Sequence, residues 1–164
     1  MQQIPTVYLV ALVLAACSTA THSVSGDRRV YGLTPSELAA ALVRPPNDPI
    51  SAGSHPSSTD TANRLANAGA WAIEGHEEWC LGVRLLRASL QVGLKNPYLV
   101  SMVAGGFHLT AMSRDELRAW EYLTRRWPEI LWARDERVRV AARLKAETPQ
   151  ETAAREAHEA ECSR

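Results

Sequence analysis

The sequence predicts an all-α fold made of antiparallel helical hairpins. Three stretches place a capping residue directly before a proline, an order typical of helix starts: Thr34-Pro35, Asn96-Pro97 and Thr148-Pro149. Apolar residues at helical spacing dominate the chain from residue 60 onward. No segment alternates apolar and polar residues between turn dipeptides, as strands of a sheet do. Because successive helices are joined by short connections, we expect them to lie as antiparallel neighbours.

Each helix has a signal for its start or its end. Thr34, Ser113 and Thr148 each precede a glutamate by three residues, which predicts a capping box at each. Leu33 and Leu38 stand where a hydrophobic staple would hold the first helix, and Pro45 prevents that helix from continuing. We therefore divide residues 17–164 into five parts: a small, polar segment at 17–33 that we expect to act as a tether, a short helix at 34–44, a Pro/Ser-rich linker at 45–59, a helical body at 60–147 and a polar terminal helix at 148–164.

Composition excludes several classes of protein. The chain has 164 residues with 18 basic and 18 acidic side chains, so it lacks the positive charge of a typical nucleic-acid binder. A hydrophobic content of 46% argues against wholesale disorder. We find no GxSxG, HExxH or glycine-rich phosphate-binding motif. We therefore expect no enzyme activity, no cofactor and no small-molecule substrate.

The first residues indicate export. Residues 1–16 contain no charged side chain, and the apolar run from Val7 to Ala16 is shorter than the roughly 20 residues that span a bilayer. The run ends in Leu14-Ala15-Ala16-Cys17, which resembles the lipobox of bacterial lipoproteins. The resemblance implies removal of residues 1–16, lipidation of Cys17 and, with the non-acidic Ser18 next, sorting to the outer membrane. The alternative is a buried N-terminal helix in which the cysteine occurs by chance.

A weak repeat runs through the body. When residues 63–96 are laid over 97–130, small and large side chains coincide at a period of 34 residues. The second unit resembles a tetratricopeptide repeat in the spacing of Ala104, Phe107, Trp120 and Pro128. A small antiparallel helical bundle is the alternative. Gly105-Gly106 lies within a predicted helix, where either close helix packing or a ligand near the backbone would account for it.

Two cysteines remain beside Cys17. In an oxidising compartment, Cys80 and Cys162 are candidates for one disulfide, which would join the terminal helix to the body. The alternative is that Cys80 is a buried free thiol and Cys162 an exposed one. Because His76 and His158 each precede a cysteine by four residues, a zinc site is a further alternative, although we predict no metal.

Candidate contact residues are the aromatic ones. Phe107, Trp120, Trp127 and Trp132 are predicted to pack in the core or to contact a partner, and exposure of Trp79 or Trp132 would favour a binding groove. The basic stretch from Arg134 to Lys145 is followed by an acidic one. The two could pack together or stay solvated; otherwise the basic helix could meet an anionic head group or an acidic partner.

The combined expectation is a lipid-anchored protein that faces the periplasm from the outer membrane. Its helical body would bind an unidentified protein partner, as an adaptor or assembly factor of an envelope machine such as a pilus, secretion or conjugation system. The alternative is a lipid-anchored immunity or inhibitor protein that neutralises a periplasmic toxin or enzyme.

Overall fold

The computed structural model describes residues 31–43, 58–76 and 78–163. These residues form seven helices and no strand, which confirms the predicted all-α class. The helices are α1 Pro35–Val43, α2 Ser58–His76, α3 Trp79–Val92, α4 Pro97–Leu109, α5 Ser113–Arg126, α6 Leu131–Ala146 and α7 Pro149–Glu161. The predicted signal peptide, Cys17 and most of the predicted tether and linker lie outside the described residues.

Three antiparallel contacts organise the body: α2 with α3, α4 with α5, and α5 with α6. Helix α4 also contacts both α2 and α3, so the first two hairpins stack on each other. Apolar side chains three and four residues apart fill these contacts, and removing them from water is the main force that joins the helices. Fully buried members of this core are Leu86, Val103, Phe107, Leu123 and Val140.

Helix α1 packs on the body. Leu33 is fully buried in a second apolar cluster with residues of α2 and α3, and Leu38 packs against the same cluster as the predicted staple partner. Arg84 donates a hydrogen bond of 2.6 Å to the carbonyl oxygen of Leu42. Residues 31–43 therefore belong to the folded unit, although the sequence placed Leu33 at the end of a tether.

The predicted helix caps have different outcomes. The side chain of Asn96 accepts a hydrogen bond from the Tyr98 backbone N–H at 2.9 Å, and the capping box at Thr148 is formed, which confirms both predictions. At Thr34 the backbone N–H donates to a Glu37 carboxylate oxygen at 2.9 Å, as predicted. The box predicted at Ser113 is wrong. Helix α5 already includes Ser113, and its N-cap residue makes no side-chain cap hydrogen bond.

Glycines set how closely α2 and α3 approach. A Cβ atom on Gly82 would lie 2.8 Å from the Gly69 carbonyl oxygen, and a Cβ on Gly69 would lie 2.9 Å from the Gly82 carbonyl oxygen. The space around an added Cβ also distinguishes the two glycines of α4, for which the sequence left close packing and a nearby ligand as alternatives. A Cβ on Gly106 would meet a Leu86 methyl group at 2.6 Å, whereas a Cβ on Gly105 would meet no atom within 4 Å. Close helix packing therefore accounts for Gly106 alone.

Length and polarity of the helices bear on membrane crossing. Within residues 31–43, 58–76 and 78–163, no helix is both long enough and apolar enough to cross a bilayer.

Tyr122 gives the fold a dependence on alkaline pH. Its hydroxyl donates a 2.7 Å hydrogen bond to the Leu94 carbonyl oxygen, and burial raises the pKa of Tyr122 above its ordinary value. The native state thus holds this proton more tightly than the unfolded chain does. Its contribution to stability is complete below about pH 10, the unfolded pKa, and is lost as pH rises through the folded pKa.

We expect Tyr122→Phe to unfold at lower urea concentration than wild type at neutral pH, and to lose less stability above about pH 10. Urea unfolding at a series of pH values measures both effects. Tyr98→Phe is the matched control, because Tyr98 is 82% exposed. An alkaline loss of equal size in wild type and Tyr122→Phe would assign the loss to other groups.

Candidate functional site

The structure places the four predicted contact residues at different depths. Phe107 is fully buried and Trp120 is 7% exposed, so both pack in the core. Trp127 is half-buried, and Trp132 is 50% exposed on α6. Of these four side chains, Trp132 presents the most surface to a partner.

Trp132 is exposed but held in position. Its ring meets that of Trp120 edge to face, with centroids 5.8 Å apart. The indole N–H of Trp120 is buried and has no hydrogen-bond acceptor in the described part of the chain. Trp127 is held between the Tyr122 ring at 6.3 Å and the Arg126 guanidinium at 5.6 Å. A rigid aromatic ring at a surface loses little entropy on binding, which favours Trp132 as a contact residue.

An open cleft of about 640 Å³ lies between α5 and α6. We call it the arginine cleft; its lining residues are Glu121, Thr124, Arg125, Arg134 and Arg137. Its three guanidinium groups make no ion pair with any residue that the structure describes, whereas Arg118, Arg139 and Arg143 each pair with a carboxylate. The cleft therefore carries two more positive charges than negative ones.

Exposed apolar side chains accompany the arginine cleft on α6. Leu131 is 65% exposed and Val138 is 58% exposed, seven residues further along the helix. Arg134 lies between them at helical spacing, so the three side chains share one stripe. Helix α6 buries only Ala133 and Val140 among its own residues, which leaves most of its surface without a neighbouring helix in the described structure.

A disulfide joins Cys80 to Cys162, with their Cα atoms 4.8 Å apart. The bond ties the end of α7 to the start of α3. The imidazole of His158 stacks on the Trp79 ring, with centroids 4.7 Å apart, and His158 Nε2 lies 2.9 Å from the Thr110 carbonyl oxygen. The sulfur atoms that a zinc site would require are thus bonded to each other. The side chain of His76 lies outside the described residues.

Two acidic side chains in the first turn of α5 are buried. Asp115 is 5% exposed and accepts hydrogen bonds from Arg87 Nη2 at 2.6 Å and from Arg118 at 3.2 Å. Glu116 is 2% exposed and accepts one from Arg143 at 2.6 Å. These contacts explain why no capping box forms at Ser113: the Glu116 carboxylate is held by an arginine of another helix, and the Glu116 backbone N–H donates to the Met112 carbonyl oxygen. Both carboxylates stabilise helix contacts.

A second cleft, of about 340 Å³, lies beside Asp115 at the end of α7. Unlike the arginine cleft, it is lined by paired charges. Arg87 and Arg118 contact Asp115, and Arg114 contacts Glu156 and Glu159 of α7. These pairs join α7 to the body, so this cleft has little charge left for a ligand.

We expect Asp115→Ala to lower the free energy of unfolding by about 3 kcal/mol, because Arg87 would keep a nearly buried charge without its carboxylate. The Arg87 side chain is only 11% exposed. Asp135→Ala is the matched control, since Asp135 is exposed and makes no ion pair within the described structure. Urea unfolding of both variants tests this, and losses of equal size would show that Arg87 is hydrated well enough to need no partner.

No three metal-binding side chains lie together in the part of the chain that the structure describes. Helix α6 is the candidate binding face: Arg134 and Arg137 line the arginine cleft on one side of it, and Trp132 is exposed on another side. The sequence identified Trp132 and the basic character of α6 but missed the contribution of Arg125 from α5. Comparison with protein-family models, with curated proteins and with solved structures finds no match for this chain.

Proposed function

We propose that this protein is a lipid-anchored adaptor of the bacterial outer membrane, which faces the periplasm and binds a protein partner of an envelope machine. The observation that carries the proposal is the arginine cleft with its unpaired guanidinium groups; the half-exposed Trp132, on another side of α6, adds a second exposed contact residue on the same helix. Tryptophan and arginine are the residues that most often dominate binding energy at protein interfaces. The lipobox-like sequence at Cys17 supports the anchor.

In the proposed mechanism, the lipid anchor holds the helical body at the membrane, close to its partner. Two or three acyl chains hold a protein at a membrane far more firmly than one chain does, so the body stays at the outer membrane. Anchoring raises the local concentration of the binding face, and this increases occupancy without any further contact.

The anchor is tested by the mass and the membrane fraction of the protein made in a bacterial host. Wild type is expected to be cleaved before Cys17, to carry acyl chains and to sediment with membranes. Cys17→Ala is expected to lose acylation and membrane association together. An unprocessed wild-type chain that stays out of the membrane fraction would exclude the lipoprotein proposal.

The binding face is tested by a photo-crosslinking amino acid at position 132, introduced in cells of the native host. We expect a crosslink to a specific envelope protein at position 132. The control position is 43, because Val43 is 82% exposed on α1, and α1 packs on α3 instead of on α6. The same crosslinked products at both positions, or none at position 132, would contradict the proposed face.

A further inference from the structure

The positive charges of the arginine cleft are not balanced within the described part of the chain. Arg134 lies in the first turn of α6, where the positive end of the helix dipole disfavours a cation. Arg137 follows one turn later, and Arg125 faces both from α5. Three like charges around one cleft repel each other, and the Glu121 carboxylate in the same cleft offsets only one of them. The arrangement is that of a site completed by an external anionic group.

We infer that the arginine cleft binds a segment of the partner protein in which acidic side chains accompany an apolar one. This inference rests on the proposed function, because it names the chemistry of the partner at the proposed face. Arginine suits the acidic side chains, since its planar group binds a carboxylate through two parallel hydrogen bonds. Leu131 and Val138 share the stripe of Arg134 and provide the apolar contact.

The shape of the site favours a protein segment over a membrane surface. Basic regions that bind anionic lipids usually gather four to eight basic residues on an open surface. Here three arginines line a concave site of about 640 Å³ that also contains Glu121. That volume is within the range of binding pockets and suits a short piece of chain. Glu121 can accept a hydrogen bond from a backbone N–H of such a segment.

The test uses the full chain and a display library of short random peptides. We expect wild type to enrich peptides that combine Asp or Glu with Leu, Ile or Val. For the best of these peptides, Arg134→Glu is expected to weaken binding about tenfold or more, since a charge-assisted hydrogen bond becomes a repulsion. Arg134→Gln should have an intermediate effect. Both substitutions are at an exposed position without an ion pair in the described structure, and circular dichroism verifies that the variants fold.

Lys145→Glu is the matched control, because Lys145 is exposed on the same helix, lies outside the cleft and changes charge equally. It should bind the selected peptides like wild type. Equal losses in Arg134→Glu and Lys145→Glu would overturn the inference, and so would enrichment of peptides without acidic residues. Binding to phosphatidylglycerol vesicles that depends on Arg134, without peptide binding, would assign the site to lipid. In each of these cases a position-132 crosslink to a protein would still support the adaptor.

Discussion

Removal of the Cys80–Cys162 disulfide is expected to lower the free energy of unfolding by about 4 kcal/mol, because the bond closes a long loop and restricts the unfolded chain. The two cysteines are 82 residues apart in sequence, so the loop includes α3 to α7. The loss should also be uneven along the chain. Helix α7 buries none of its own residues, and its contacts with the body include ion pairs, a hydrogen bond from the Arg114 backbone N–H to Glu159, the His158 ring and the buried Cys162 that follows the helix.

Urea unfolding and hydrogen exchange measure the two parts of this prediction. The comparison is between Cys80→Ser/Cys162→Ser and the bridged chain, both with Cys17→Ser so that no third thiol takes part. We expect backbone amides of α7 to exchange much faster in the unbridged chain, while those of α4 and α5 exchange only through global unfolding. Unchanged protection of α7 would show that its polar contacts hold it without the disulfide.

The secondary structure was predictable because its signals are local. A capping side chain bonds a backbone N–H two or three residues away, so Asn96 and Thr148 are recognisable from their neighbours alone. Ser113 has the same local pattern, but the capping box predicted there does not form. The Glu116 carboxylate, which the capping box requires, instead accepts a hydrogen bond from Arg143, 27 residues away. A capping motif covers only four residues, so it cannot predict a contact with a residue so distant in sequence.

The candidate site was predictable only in part, for a similar reason. Composition shows that α6 is basic, but it does not show which arginines are neutralised. Arg139 pairs with Glu136 on its own helix, and Arg143 pairs with Glu116 of α5. Arg134 and Arg137 differ from them only in the side of α6 on which they lie, and that depends on how α5 and α6 pack. Likewise, the sequence could not decide that Trp120 is buried while Trp132 is half-exposed.

Gly82→Ala is expected to lower the free energy of unfolding by about 3 kcal/mol, although alanine is the better helix former. The added Cβ would lie 2.4 Å from Ile73 Cγ1 and 2.8 Å from the carbonyl oxygen of Gly69. The Ile73 side chain can change its rotamer, but the carbonyl belongs to the backbone of α2 and cannot move alone. Helices α2 and α3 would therefore have to separate, which would loosen the side chains packed between them.

Gly105→Ala is the matched control, because it makes the same chemical change within a helix where the added Cβ meets nothing within 4 Å. It should raise the free energy of unfolding by about 1 kcal/mol through helix propensity alone. Urea unfolding of the two variants beside wild type measures the difference. Helix propensity predicts a gain at both positions, so opposite signs would identify close approach of α2 and α3 as the reason for glycine at 82. A gain at both would mean that the two helices can separate at little cost.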